Sequence, residues 1–72
     1  MGRFIQLKVV FGDRTGIVTV NTGWPVEGLR AAIADRFHIN ANNIQHNGQT
    51  LENDRKIGDC GLTGGEVIIA SE

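Results

Sequence analysis

Residues 25–37 read PVEGLRAAIADRF, and this is the one stretch of the 72-residue chain whose apolar spacing is helical over several turns. The apolar residues that recur at intervals of three and four are Val26, Leu29, Ile33 and Phe37. Such a stripe can pack on a sheet while the charged residues of the remaining arc face solvent. Pro25 suits a first helical turn, although no serine, aspartate or asparagine cap precedes it. The pattern predicts one helix that begins at Pro25 and stops near His38.

Two strands are predicted before this helix. From Ile5 to Phe11 apolar and polar residues alternate, which is typical of a strand with one buried face. Residues 12–16 contain two glycines and an aspartate, the composition of a hairpin turn. The β-branched run Ile17–Asn21 follows, so we expect it to pair antiparallel with the first strand.

A short strand pair and a final strand are predicted after the helix. Ile44–His46 is a short candidate strand, Asn47-Gly48 is a strong turn pair, and Gln49–Leu51 is the candidate returning arm. Val67–Ala70 is continuously apolar, which favours a central strand buried against the helix. The ββαββ order predicts an α+β roll, a mixed sheet of four to five strands with one helix across it.

Size and composition favour one soluble globular domain spanning residues 1–72. Seven Lys and Arg against eight Asp and Glu give a net charge of −1, so nothing favours direct binding of nucleic acid. No apolar run approaches the roughly 18 to 20 residues that a membrane crossing needs. The single cysteine, Cys60, cannot form an internal disulfide, and we therefore expect a reducing compartment, the cytoplasm or the nucleus.

With these elements in this order, the chain resembles the ubiquitin-like (β-grasp) family, over about Ile5 to Ala70. The most specific stretch is residues 47–62, NGQTLENDRKIGDCGL, which is similar to the family's turn, Leu-Glu-Asp and short-helix segment. Leu29–Ile33 resembles the core face of the family helix. Within the specific stretch, Ile57–Gly61 is closest to the ubiquitin-like moiety of ubiquitin–ribosomal protein fusions.

The resemblance implies a domain that is not conjugated. Conjugating members end in Arg-Gly-Gly, whereas the sequence ends in Ala70-Ser71-Glu72, and Gly64-Gly65 precedes the last strand. We expect neither activation by adenylation nor a sulfur-carrier role. The family's principal chain-building lysine aligns with Gln49, so polyubiquitin-type chains are not expected either.

The apolar patch by which ubiquitin meets most receptors is largely missing. The isoleucine at its centre aligns with Gln45, and its last-strand histidine aligns with Ile68 or Ile69. A small patch of this kind binds weakly, so an amide at its centre removes much of the available affinity. Ordinary ubiquitin receptors are not expected to bind. The candidate protein-binding face is a repurposed one, formed by Gln45, Asn47, Gln49 and Ile69.

No catalytic, metal or cofactor site is predicted. His38, His46 and Cys60 match no zinc spacing, and a nucleophilic cysteine needs an adjacent base and an electropositive setting. The family places a residue tucked under a loop at Cys60, which implies a buried structural thiol. Trp24 either packs on the first turn of the helix, the reading we favour, or stands exposed as a binding anchor.

The sequence thus predicts a non-enzymatic ubiquitin-like domain, most simply the N-terminal moiety of a ubiquitin–small-subunit ribosomal protein fusion. It would act as a folding aid or docking module, as a monomer, with the fused or a neighbouring protein as partner and a ribosome-associated location. The alternatives are a truncated ubiquitin-like modifier and an adaptor domain of a larger protein.

Overall fold

One mixed sheet and one α-helix carry the fold. The computed structural model describes residues 2–72. Its elements are, in chain order, β1 (Phe4–Phe11), β2 (Arg14–Asn21), α1 (Val26–Phe37), β3 (Asn43–His46), β4 (Gln49–Thr50), a short 3₁₀ helix (Ile57–Cys60) and β5 (Val67–Ser71). The strands lie in the order β2-β1-β5-β3-β4. The predicted α+β roll is confirmed.

The first hairpin turns more tightly than the sequence predicts. Strands β1 and β2 pair in continuous antiparallel register, and only Gly12 and Asp13 lie between them. Gly12 has a φ of 60°, which glycine adopts without strain and which lets two residues reverse the chain. The predicted turn over residues 12–16 is therefore wrong at its end. Gly16 lies inside β2, where an added Cβ would come 3.1 Å from Cζ of Phe37.

Strand β5 is central, as predicted, but only one of its faces is buried. It pairs parallel with β1 and antiparallel with β3. Ile68 and Ala70 are buried, whereas Val67 and Ile69 are 44% and 48% exposed. The predicted burial against the helix is confirmed for Ile68 and Ala70 and does not extend to the alternate residues, because α1 covers one face of the sheet and nothing covers the other among residues 2–72.

The helix has the predicted bounds and the predicted buried stripe. Pro25 and His38 flank it as caps, and His38 ends it in the left-handed conformation at a φ of 57°. All four apolar stripe residues are buried. No helix among the residues described is long and apolar enough to cross a membrane. The buried cluster comprises Ile5, Leu7, Val9, Val18, Val20, Val26, Leu29, Ile33, Phe37, Ala41, Ile44, Leu51, Ile57, Leu62, Ile68 and Ala70.

A distant loop supplies the cap that the sequence lacks in front of Pro25. The N–H of Val26 donates to the carbonyl of Arg55 at 2.7 Å, and the N–H of Glu27 donates to the carbonyl of Asn53 at 3.2 Å. Unpaired N–H groups at a helix start need partners, and here backbone carbonyls replace a side-chain cap. The same loop is thereby fixed against the start of α1.

The loop before β5 closes around one carboxylate. Glu66 accepts hydrogen bonds from the N–H and hydroxyl of Thr63 and from the N–H of Gly64, at 2.7 to 3.1 Å. Burial opposes ionisation, but these hydrogen bonds to the charged form outweigh it and lower the pKa of Glu66 from 4.5 to about 2. The ionised carboxylate therefore stabilises the turn that aims β5 between its neighbours.

Truncating the helix stripe should cost much of the stability of so small a domain. Leu29→Ala removes a fully buried side chain and leaves a cavity, so the free energy of unfolding should fall by about 2–5 kcal/mol. Urea denaturation followed by circular dichroism measures it. Ala31→Ser, on the exposed side of the same helix, is the control and should change stability by no more than about 0.5 kcal/mol. A loss below that limit for Leu29→Ala would contradict the packing described.

Acid should destabilise the domain partly through Glu66. Because its pKa is lower in the folded state, its contribution is complete above about pH 4.5 and is lost as the pH falls through about 2. Glu66→Gln should therefore lower stability at pH 7 and flatten the pH dependence within that window. Thr63→Val removes one donor and should show part of the effect. If the free energy of unfolding fell equally with pH in the wild type and in Glu66→Gln, the lowered pKa of Glu66 would be refuted.

Candidate functional site

The sheet has an uncovered outer face that is almost free of charge. Alternation along each strand assigns the side chains to the two faces, because successive residues point to opposite sides. The outer side chains are Phe4, Gln6, Lys8 and Val10 of β1, Thr15, Ile17, Thr19 and Asn21 of β2, Val67, Ile69 and Ser71 of β5, Asn43 and Gln45 of β3, and Thr50 of β4. Lys8 is the single charged residue among them.

Four apolar residues form a patch in the middle of this face. Lys8 stands opposite Ile17 on one side and opposite Val67 on the other, while Val10 stands opposite Ile69. Ile17 is 52% exposed, and Val67 and Ile69 are nearly as exposed. Neighbouring strands lie about 4.8 Å apart, so these side chains adjoin one another around the lysine stem. We call Val10, Ile17, Val67 and Ile69 the outer apolar patch.

The structure brings together two of the four residues predicted to form a protein-binding face. Gln45 lies directly opposite Ile69 on the outer face. Ile69, not the buried Ile68, is therefore the last-strand residue available at this surface. Thr50, on the far side of Gln45, extends the same row.

The other two predicted residues lie elsewhere. Gln49 is paired with His46, one residue out of step with Gln45, so its side chain belongs to the opposite side of the β3–β4 ribbon. Asn47 occupies the turn with a φ of 53°, followed by Gly48 at 79°, as expected for a two-residue hairpin loop. The four predicted residues therefore do not share one face. The pairing register decides which side of a strand each side chain occupies, and an alignment does not give that register.

A small cleft joins His46 and Cys60 on the side of the ribbon where Gln49 lies. Its volume is about 150 Å³, and its walls are His46, Gln49, Thr50, Leu51, Glu52, Arg55, Asp59 and Cys60. Sequence spacing did not predict that the imidazole and the thiol share a cleft, since they come from different elements. Among residues 2–72, no group of three or more His, Cys, Asp or Glu is placed to hold a metal ion.

Cys60 is only partly buried, which corrects the prediction of a buried thiol. Its Sγ donates to the carbonyl of Lys56 at 3.4 Å. Burial raises the pKa of the Cys60 thiol, Arg55 acts against this, and Asp59 raises it further. A nucleophilic cysteine acts as the thiolate, which this environment disfavours. The contact with Lys56 and the packing on the core give the residue a structural role.

Trp24 packs on the first turn of α1, as predicted, and is also 40% exposed. Its ring lies over Gly28, where an added Cβ would stand 3.3 Å from Cε3 of the indole. Gly28 weakens the helix by propensity but leaves room for this contact. Phe4 meets Trp24 edge to face, with ring centroids 5.9 Å apart. This aromatic pair lies at the end of β1 away from Val10, apart from the outer apolar patch.

Comparison with known proteins rests on structure. No protein-family model matches the sequence, and no curated protein matches it either. A de novo designed protein based on ubiquitin superposes with a TM-score of 0.84 at 18% identity, over 93% of this chain and 85% of that one. The solution structure of a ubiquitin-like domain from an Arabidopsis thaliana protein has a TM-score of 0.83 at 22% identity, over 94% and 76% of the two chains.

A third similar structure is part of a longer protein. The crystal structure of ATBAG1 in complex with HSP70 gives a TM-score of 0.85 at 7% identity, with 92% of this chain matching 38% of that one. Identities this low carry the fold and not the function. The sheet order, the single helix and these superpositions agree, and the chain has the ubiquitin-like β-grasp fold.

Proposed function

We propose that this chain is a non-conjugated ubiquitin-like module that docks other proteins through its outer apolar patch. The observation that carries the proposal is the exposure of Ile17, Val67 and Ile69 on one face of the sheet, on the two strands that flank β1. Contiguous apolar surface of this kind marks interaction sites, whereas isolated exposed residues do not. Polar neighbours such as Gln45 and Thr19 give the patch the rim that protein interfaces have.

The patch suits weak, reversible binding. Full burial of a Val or Ile side chain contributes about 1.5–3 kcal/mol, and these side chains are already about half buried. Covering the three would add about 2–4 kcal/mol, which is roughly a 30- to 1,000-fold gain in affinity before ordering costs. Lys8, inside the patch, favours a partner that places a carboxylate among its apolar contacts.

The resemblance implies that the patch is displaced from the surface that ubiquitin receptors use, because Gln45 aligns with the isoleucine of that surface. The apolar area here extends instead across β1 to Ile17 on the edge strand. We propose that the partner is a protein fused to or neighbouring this domain, and not an ordinary ubiquitin receptor. ATBAG1, seen in complex with HSP70, is a precedent for this fold within a protein that binds another.

The fusion with a small-subunit ribosomal protein remains the finer proposal. Its support is the likeness of Ile57–Gly61 to the ubiquitin-like moiety of such fusions. A fusion of this kind implies a cytoplasmic domain beside the ribosome. On the native protein, we expect mass spectrometry to find a basic ribosomal sequence after Glu72. We also expect incubation with a ubiquitin-activating enzyme to give no thioester. A native chain that ends in Gly-Gly and forms a thioester would establish a modifier instead.

Site-specific crosslinking should locate the docking surface. A photo-crosslinking amino acid in place of Ile69 in the native protein should give a discrete adduct with a partner. The matched control replaces Ala31, which is exposed on α1 and lies away from the sheet's outer face. Adding Val67→Lys should remove most of the adduct, because it places an ammonium in the apolar contact.

Two outcomes would contradict docking through the outer apolar patch. Equal adducts from positions 31 and 69, or an adduct that survives Val67→Lys, would show that the patch is not the docking surface. Co-sedimentation of the adduct with the small ribosomal subunit would favour the fusion, whereas an adduct confined to other fractions would favour an adaptor in a larger protein.

A further inference from the structure

Among residues 2–72, one row of backbone groups on strand β2 has no strand partner. Lys8 donates its N–H to the carbonyl of Glu66, and Gly65 donates its N–H to the carbonyl of Gln6. The backbone N–H and C=O groups of the even-numbered residues of β1 therefore point toward β5. The backbone groups of the odd-numbered residues of β1 therefore point toward β2, as the hydrogen bond from the N–H of Thr22 to the carbonyl of Arg3 also indicates. Each odd-numbered residue of β1 is paired with an even-numbered residue of β2, so the backbone groups of the even-numbered residues of β2 point toward β1. The backbone N–H and C=O groups of Thr15, Ile17 and Thr19 therefore point away from β1, along the open edge of the sheet, whereas the carbonyl of the next odd residue, Asn21, accepts from the N–H of Trp24.

The two edges of the sheet differ in how far they are open to pairing. Strand β4 forms one edge with two residues, too short to template another strand. Strand β2 forms the other edge with eight residues, no proline, no lysine and no bulge in its register. Its one charge, Arg14, stands at its first position. Proteins normally protect a long edge strand from pairing with a proline, charged side chains such as lysine, or a bulge, and of these β2 has only the terminal arginine.

We propose that β2 pairs antiparallel with β2 of a second copy, about a two-fold axis at Ile17, to make one sheet through both molecules. Thr15 then lies opposite Thr19 of the second copy, and Ile17 lies opposite its own counterpart. All three residues have outward N–H and C=O groups, so the pairing makes about six hydrogen bonds, two for each hydrogen-bonded pair. The paired residues all carry outer-face side chains, so the outer faces of the two copies lie on the same side of the joined sheet.

Apolar area suits this symmetric pairing, and the one charged residue of β2 does not oppose it. Arg14 of each copy is opposite Val20 of the other, so the two guanidinium-bearing residues stand about 20 Å apart along the strands, beyond a Debye length of about 8–10 Å. The half-exposed Ile17 side chains meet across the axis and cover each other. Because the pairing uses both β2 edges and leaves only the short β4 edges, it closes at two copies.

The dimer shares Ile17 with the outer apolar patch but does not depend on the docking function, and it differs from the monomer that the sequence led us to expect. It needs no partner protein, so the purified 72-residue chain tests it alone. A monomer was expected from the sequence, which does not reveal that β2 lies at an edge until β5 is known to pair with β1.

Sedimentation velocity on the full chain, from roughly 20 µM to 1 mM, should show a shift from monomer to dimer. Ile17→Lys puts two ammonium groups beside the axis and should weaken the dimer at least about tenfold. Ile69→Lys is the matched control, since it makes the same change on the same face, on a strand two places from the edge. It should leave the dimer unchanged.

Amide hydrogen exchange keeps the test independent of the variants. The N–H groups of Thr15, Ile17 and Thr19 should exchange more slowly at high than at low protein concentration. A chain that stays monomeric at roughly 1 mM overturns the proposal. So does a dimer lost equally in both lysine variants, or one whose formation leaves these three amides unprotected. Retained amide spectra for each variant establish that the fold survives the substitution.

Discussion

The place of β5 between β1 and β3 is the constraint on which the rest of the structure depends. The β1–β2 hairpin and the β3–β4 ribbon are not paired with each other, and only β5 hydrogen-bonds to both. Ile68 and Ala70 of β5 also belong to the core that the helix covers. One strand thus joins two sheet segments and seals the interior. The hydrogen-bonded turn at Glu66 matters because it sets the direction in which that strand enters.

A single helix can cover only one face of a five-stranded sheet, and this fact determines the surfaces. The covered face takes the buried residues, and the outer face keeps whatever side chains the alternate positions hold. Here those positions hold Ile17, Val67 and Ile69 with little charge around them. The edge strand adds a second kind of surface, made of backbone rather than side chains. Both arise without any change to the core, so a common fold can carry surfaces specific to this chain.

Features fixed by local physics were predictable from the sequence. The stripe from Val26 to Phe37 gave the helix and its buried side, and Asn47-Gly48 gave the second turn, because spacing and backbone preference act within a few residues. Features fixed by distant contacts were not. Composition assigned Gly16 to a turn, whereas its lack of a Cβ makes room for Phe37 from the helix.

The same limit applies to the candidate site. Alignment grouped Gln49 with Gln45 and Ile69, but the pairing of Gln49 with His46 puts it on the opposite side. Ile69 belongs to the predicted face because either it or Ile68 aligns with a binding residue of the family, and only the strand register shows that Ile69 is the exposed one of the two. Ile17 and Val67 were not identified as surface residues, since a β-branched strand residue carries no mark of which face it will occupy until the neighbouring strands are known.

The parallel contact between β1 and β5 also governs when the domain can fold as it is made. The first strand leaves the ribosome early and must wait through some sixty residues for the strand that completes its hydrogen bonding, a separation whose loop-closure entropy is about 4 kcal/mol. The strand of this domain that is synthesised last, β5, is therefore the one in the middle of the sheet. Until it arrives the nascent chain has a hairpin and a helix with an unfinished interior, so folding waits for nearly the entire domain to emerge.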